Sequence, residues 1–266
     1  MVQLVAALIV LAVAPVSGLR LVVLDPGHGG DNEGAPARHG PPGTFEKHLT
    51  LDIAQRVAAS LRGAGVRVIL TREDDRALPI RDRINLANRE DADVFVSVHL
   101  NSTERPGPKG HETFFLSLKA SDDAALRLAE YENQEGGTLA RVGKATGDPV
   151  VDAILLDLTR GRAQADAQQL AAAIQRHVAP RSRFPDLGVK QAPFHVLMGA
   201  SMPAVVWEGG FLNHFQEGKA LLDPATRQAL AEGIAAGVLE FGATVVQARH
   251  RGAQPAFAPY VLESPR

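Results

Sequence analysis

Leu19-Arg20-Leu21-Val22-Val23-Leu24-Asp25 leads directly into Pro26-Gly27-His28-Gly29-Gly30. An apolar run of this length, cut off by a proline and a glycine, predicts a buried strand that empties into a loop. Downstream, Leu49, Ile53, Val57 and Leu61 recur every four residues from Glu46 onward and predict an amphipathic helix. Gly63 and Gly65 stop it, and Val66–Thr71 supplies a second, β-branched strand. Ile80–Asn88 has the pattern of another amphipathic helix, Ala92–His99 (ADVFVSVH) of a third strand, and His111–Leu116 of a fourth. Strands alternating with helices predict an α/β fold, a mostly parallel twisted sheet with helices on both faces.

After Leu116 the pattern changes. Residues 117–185 are rich in Ala, Asp, Glu, Arg and Gln and read as a helical insertion. Within it, Ser121–Glu132 has Ser121 as its expected N-cap, and Ala163–Val178 carries a stripe at Leu170, Ile174 and Val178. Bare connections in α/β units run to about six residues, so a segment this long is expected to have a task of its own. Val189–Met198 and Ala204–Glu208 resume the sheet, and Pro224–Leu239 closes with a helix. The catalytic domain is thus expected over 19–245, with a loosely ordered tail at 246–266. At the other end, Met1–Ala14 is apolar except for Gln3 and is followed by Pro15-Val16-Ser17-Gly18. This predicts a secretory signal over 1–18, cleaved near Gly18 and too short to span a bilayer comfortably.

Composition excludes several chemistries. The 266 residues are 45% apolar and 22% charged, ordinary values for a globular chain. A formal net charge of −2 gives no basic excess for a nucleic-acid partner, and none is expected. Cysteine is absent, which removes thiolate metal sites, a cysteine nucleophile and disulfides. Any transition metal must be held by carboxylates and by some of nine histidines.

Three strands end alike: the first at Asp25 before Gly27-His28, the third at His99, and a later one at Glu208-Gly209-Gly210. In a parallel sheet the carboxyl ends share one edge, where ligands bind. Glu46, opening the helix after the first strand, begins at that edge too. The glycines beside His28 and Glu208 are expected to leave room for a substrate or metal. Two imidazoles and a carboxylate (His28, His99 and Glu46) form the three-ligand set of a catalytic zinc, with a fourth position for water. Such a zinc supplies hydroxide near neutral pH and polarises a carbonyl, and Glu208 is placed to carry the proton to a leaving amine. Alone, either histidine reads at least as well as a hydrogen-bonded structural residue, and Glu46 as a helix-start charge. Glu208 is different, since an ionised carboxylate ending an apolar strand is costly without a partner.

Together, the blocks LDPGHGG, FEKHLTLDIAQRVAASLRGAGVRVILTREDD, RDRINLANREDADVFVSVHLNS and PAVVWEGGFLN resemble the zinc-dependent N-acetylmuramoyl-L-alanine amidases of the periplasmic, cell-separation type. The resemblance runs in order from about Leu19 to about Ala243. It implies hydrolysis of the amide between the lactyl group of N-acetylmuramic acid and L-alanine in peptidoglycan. It places the zinc ligands on His28, Glu46 and His99 and the catalytic glutamate on Glu208. Arg83 matches the arginine before the family's Ala-Asn pair (Ala87-Asn88) and is expected to orient neighbouring carboxylates, with Asp25 bracing the loop that carries His28. Ordinary structural pairing is an equal reading for both.

The resemblance also implies a helix over the active site, from which a glutamate caps the zinc until an activator protein displaces it. Ala129-Glu130-Tyr131-Glu132-Asn133 is similar to that helix, with Glu132 as the capping candidate and Glu130 and Glu135 as neighbours able to take the role. His48 stands where an acidic residue is common in the family, and His214 where a small polar one is usual. His48, two residues beyond Glu46 on a helix, should face away from it. A periplasmic monomer acting on peptidoglycan is the expectation. A zinc peptidase cutting within the stem peptide would show the same ligand set, and a silent wall-binding protein would lack a ligand or Glu208.

Overall fold

The computed structural model describes residues 18–103, 107–134 and 162–246. The expected signal segment lies outside these residues apart from Gly18, as does the tail beyond Val246. β1 (Leu21–Pro26), β2 (Arg67–Leu70), β3 (Val94–Asn101), β4 (His111–Leu116), β5 (Asp186–Ala192) and β6 (Ala204–Phe211) form one sheet in the order β2-β1-β3-β6-β4-β5. The first four strands of that order are mutually parallel; β4 runs antiparallel to β6, and β5 parallel to β4. The sheet is therefore mixed but mostly parallel. β1, β3 and β6 are buried along their whole length, which is why their sequences are nearly continuous runs of apolar residues.

Helices cover both faces. On one lie α1 (Glu46–Gly63), α4 (Arg162–Val178) and α6 (Pro224–Phe241). The α1 stripe of Leu49, Ile53, Val57 and Leu61 shares a core there with Leu170 and Ile174 of α4 and with Ile234 and Val238 of α6. On the other face lie α2 (Ile80–Arg89), α3 (Asp123–Asn133) and a 3-10 turn at His195–Leu197. Their Ile84, Ala87, Leu128, Ala129 and Leu197 pack on Val23, Phe95, Phe114 and Val206. The two helical stretches of residues 117–185 thus part company. Strands β4 and β5 are parallel neighbours and need a crossover, which α4 supplies on the face away from α3.

Two local expectations are corrected, and one element was not foreseen. The strand expected at Val189–Met198 begins earlier and ends at Ala192, because Pro193 has no N–H for a ladder and a 3-10 turn follows. Asp122, not Ser121, caps α3: its Oδ1 accepts from Ala125 N at 2.7 Å, while Ser121 Oγ accepts from Gln191 N at 2.9 Å. A short helix, α5 (Phe215–Leu221), follows β6, with His214 Nδ1 accepting from Glu217 N at its start. No helix among the described residues is long and apolar enough to cross a membrane.

Helix α6 meets α4 through glycine. A Cβ built on Gly237 would stand 2.5 Å from Ile174 Cα and 2.6 Å from Ile174 N, both backbone atoms that cannot yield alone. Gly→Ala inside an exposed helix gains about 1 kcal/mol. Here the sign reverses: Gly237→Ala is expected to lower the unfolding free energy by about 1–3 kcal/mol through overpacking, measured by urea denaturation. A stabilised variant would show that the two helices do not pack this closely.

Candidate metal site

Strand alternation gathers the polar groups on one face. Phe95 of β3, Val206 of β6 and Phe114 of β4 all belong to the core under α2 and α3. Residues an even number of positions away share their side, so Ser97 and His99, Glu208, and Glu112 point there too. Asp25 of β1 lies opposite Ser97. His99 lies opposite Glu208, and Glu208 opposite Glu112. The last three form a row of side chains across three strands, and all are buried.

Glu46 comes to this row from the first residue of α1. Its Oε2 accepts from Ala35 N at 3.0 Å and its Oε1 from Leu100 N at 2.8 Å. The Leu100 amide is turned towards it where the β3–β6 register shifts between His99 and Asn101. His28 adopts φ 62°, the left-handed region that a residue with a Cβ seldom enters. Two buried arginines pin the loop that holds it there. Arg83 donates to His28 O and Pro26 O, each at 2.8 Å, and to Asp25 Oδ1 at 2.9 Å. Arg72 donates to Pro26 O at 3.0 Å and Gly27 O at 2.7 Å. Asp25 also accepts from Thr71 Oγ1 at 2.6 Å and Ser97 Oγ at 2.7 Å, so its charge is enclosed by donors.

The donor atoms converge. His28 Nε2 lies 2.9 Å from Glu46 Oε1, and His99 Nδ1 lies 3.5 Å from that same oxygen. From α3, Glu132 Oε2 reaches to 3.1 Å from His99 Nδ1 and 3.9 Å from His28 Nε2. The four residues offer ligand atoms that all fall within 4.8 Å of one another. The expected triad and the expected cap thus meet at one point, whereas Glu130 is exposed and Glu135 lies outside the described residues. His28 Nδ1 is 3.1 Å from Asn32 Oδ1, an oxygen that also accepts from Gly34 N. Nδ1 is therefore the protonated nitrogen, and the Nε2 lone pair faces the cluster.

The set fits a divalent cation. His99 Nδ1 and Glu132 Oε2 are buried yet make no aligned hydrogen bond among the described residues, an arrangement that is costly unless a cation is shared; both Glu208 oxygens, outside the four-residue cluster, are buried without such a bond as well. Imidazole and carboxylate are the donors that zinc accepts where no thiolate exists. For Glu46, burial favours the neutral form, but His28 and His99 outweigh it and hold the carboxyl below the usual range. Glu208 goes the other way: burial, only partly offset by His99 and reinforced by Glu132, Glu46 and Glu112, pushes it well above that range.

Arg83 and Asp25 act as a pair behind the loop, and neither offers an atom to the cluster. The space beside Gly27 is not open to a ligand, since a Cβ there would stand only 2.4 Å from Cε1 and Nε2 of the His99 ring. Beside Gly209 the indole of Trp207 fills it. His48 turns back to accept from Phe45 N at 3.1 Å, away from Glu46 as expected. Sequence reasoning missed Arg72, Asn32 and Glu112. For Asn32 a signal existed in its place four residues past His28 in the same loop.

The family model described as N-acetylmuramoyl-L-alanine amidase matches residues 22–240. The chain is 34% identical over 226 residues to the N-acetylmuramoyl-L-alanine amidase AmiA of Escherichia coli (strain K12), covering 84% of this chain and 76% of that protein. It is 31% identical over 229 residues to the N-acetylmuramoyl-L-alanine amidase AmiC of Neisseria meningitidis serogroup B, covering 86% of this chain and 54% of that one. Among solved structures, an N-acetylmuramoyl-L-alanine amidase from Clostridium difficile 630 superposes with a TM-score of 0.63 at 27% identity, covering 84% of this chain and 97% of that one.

Because Asn32 fixes the tautomer and tilt of His28, Asn32→Ala should weaken divalent-metal binding about 10- to 100-fold. Competition with a chromophoric chelator measures this directly. An unchanged affinity would mean that His28 Nε2 is not a ligand, or that its orientation is set elsewhere.

Proposed function

The chain belongs to the N-acetylmuramoyl-L-alanine amidase family, and on that premise we propose that it cleaves the lactyl–L-alanine amide of peptidoglycan at a zinc centre on His28, Glu46 and His99. The observation that carries the reading is the convergence of those three buried side chains, remote in sequence, beside a fourth, Glu208, whose carboxylate has no hydrogen-bond partner among the described residues. Zinc bound there would activate a water and polarise the scissile carbonyl.

The chain's own groups have separate tasks. Glu46 is held at both oxygens by backbone amides, so it presents a fixed charge. His28 is aimed by Asn32 and by the carbonyls that Arg83 and Arg72 pin. Glu208, in the row beside His99, takes the proton of the attacking water and gives it to the amine nitrogen as the C–N bond breaks. The carbonyl carbon keeps the hydroxyl, and the peptide leaves with a free amino group. High burial of the row keeps bulk water from competing for that proton.

Glu132 gives the site a resting state. Its carboxylate lies against both histidines, where it would fill the position a water needs. It is carried by α3, whose Asn133 docks on Pro193 O at 2.9 Å and on His195 N at 2.7 Å. The helix's Ala125, Leu128 and Ala129 belong to the smaller of the two cores, while Tyr131 on the same helix is exposed, so an activator protein that binds the outer side of α3 could lift Glu132 away. The apolar run Met1–Ala14 supports export to the periplasm, and a latched wall hydrolase released on demand suits daughter-cell separation. Family membership favours the amidase over a stem-peptide peptidase or a silent wall-binding protein.

Two variants test the roles. Glu208→Gln should retain zinc while losing roughly 10²- to 10⁴-fold in turnover on purified sacculi; digestion at the parental rate would remove Glu208 from the mechanism. Glu132→Ala should raise basal activity without an activator by about tenfold, the effect of a resting state favoured by ~1.4 kcal/mol. Equal or lower basal activity would discard Glu132 as the cap.

A further inference from the structure

Helix α3 touches the catalytic face with a carboxylate at each end. Glu132, in its last turn, meets His99. At its N-cap, Asp122 Oδ2 lies 3.3 Å from Lys190 Nζ, and the same ammonium lies 2.9 Å from Glu112 Oε2. Lys190 sits opposite Phe114 in the β4–β5 register, so it leaves the sheet on the face that carries Glu112 and Glu208. Its two partners differ in kind. Glu112 belongs to the sheet, is buried, and is fixed by Asn101 Nδ2 at 3.1 Å. Asp122 belongs to the removable helix and is half exposed.

We infer that α3 lies in the groove meant for the peptide stem of the substrate, with Asp122 standing on Lys190 where a carboxylate of that stem binds. This rests on the latch reading of Glu132. The dimensions agree. From Asp122 to Glu132 the helix spans roughly 15 Å, and three to four extended residues beyond the scissile amide cover about 10–14 Å. The chemistry agrees as well. A peptide stem leaving the first alanine ends in a free carboxylate, the group a fixed ammonium pairs with. Other cations near the site are committed elsewhere: Arg72 and Arg83 to the His28 loop, and Lys47 to Gly30 O and Asp75, each at 2.8 Å. When α3 leaves, Glu112 keeps the Lys190 ammonium in place and charged, and the direction Asp122 vacates is open to another anion.

The test compares Glu132→Ala with the double variant Glu132→Ala/Lys190→Gln on two soluble muropeptides, one with free stem carboxylates and one with those carboxylates amidated. The assignment predicts that Lys190→Gln raises KM about tenfold on the free acid, leaves kcat within about twofold, and leaves the amidated substrate unchanged. Lys190→Arg should restore the preference for the free acid. An equal KM change on both substrates marks Lys190 as merely structural, and no change on either removes it from recognition; both overturn the assignment while the latch stands. If Glu132→Ala is no more active than the parent on either substrate, the latch reading itself fails, and the vacated groove fails with it.

Discussion

Burying Glu46, Glu132 and Glu208 beside two imidazoles sets the terms for the rest of the molecule. Each ionised carboxylate removed from water costs several kcal/mol unless its charge is met. The protein meets part of that demand with backbone amides, as at Glu46, and leaves the remainder facing one point shared with His28 Nε2 and His99 Nδ1. A single divalent cation at that point satisfies Glu46, Glu132 and the two imidazoles at once, with Glu208 beside them in the row with His99. The same electrostatics explain why Glu46 is held ionised by its histidines, while burial, reinforced by Glu132, Glu46 and Glu112, raises the proton affinity of Glu208 and makes it the better proton acceptor.

Such a point has to be built from separate elements, and the loop carrying His28 is the hardest to place. Its backbone is in an unfavourable region, and its carbonyls face inwards. Arg83 and Arg72, reaching it from α2 and from the end of β2, bind those carbonyls while Asp25 neutralises the nearer guanidinium. Removing one partner of a buried pair of this kind costs about 3–5 kcal/mol, so the loop is as much a folding determinant as a functional one. Gly27 belongs to the same construction, because the ring of His99 lies where any side chain would be.

Much of this could be read before any coordinates. The strand runs at Leu19–Asp25 and Ala92–His99 and the four-residue stripe of α1 are strong periodic signals, and the shared edge of parallel strands brings His28, Glu46 and His99 together by topology alone. What escaped reading depends on distance in sequence. Arg72 contacts carbonyls 45 and 46 residues away, and no local pattern marks it. The opposite direction of β4 and β5 is set by pairing, which leaves no periodic trace, so Glu112 and Lys190 could not be placed beside Glu208. Ser121 and Asp122 are both good caps, and the choice between them fell to Gln191, which claims the Ser121 hydroxyl.

Helix α3 connects the site to control. It reaches the site with side chains at its ends, and it packs Ala125, Leu128 and Ala129 on the smaller of the two cores, with polar contacts along residues 190–195, separate from the α1/α4/α6 core. Displacing it therefore leaves the larger hydrophobic core intact. The most direct measurement is anomalous diffraction from crystals of the zinc-loaded protein, recorded at the zinc edge. The account predicts one strong peak about 2.0–2.2 Å from His28 Nε2, His99 Nδ1 and a Glu46 oxygen. A peak bound elsewhere, or none in crystals grown with excess zinc, would contradict it.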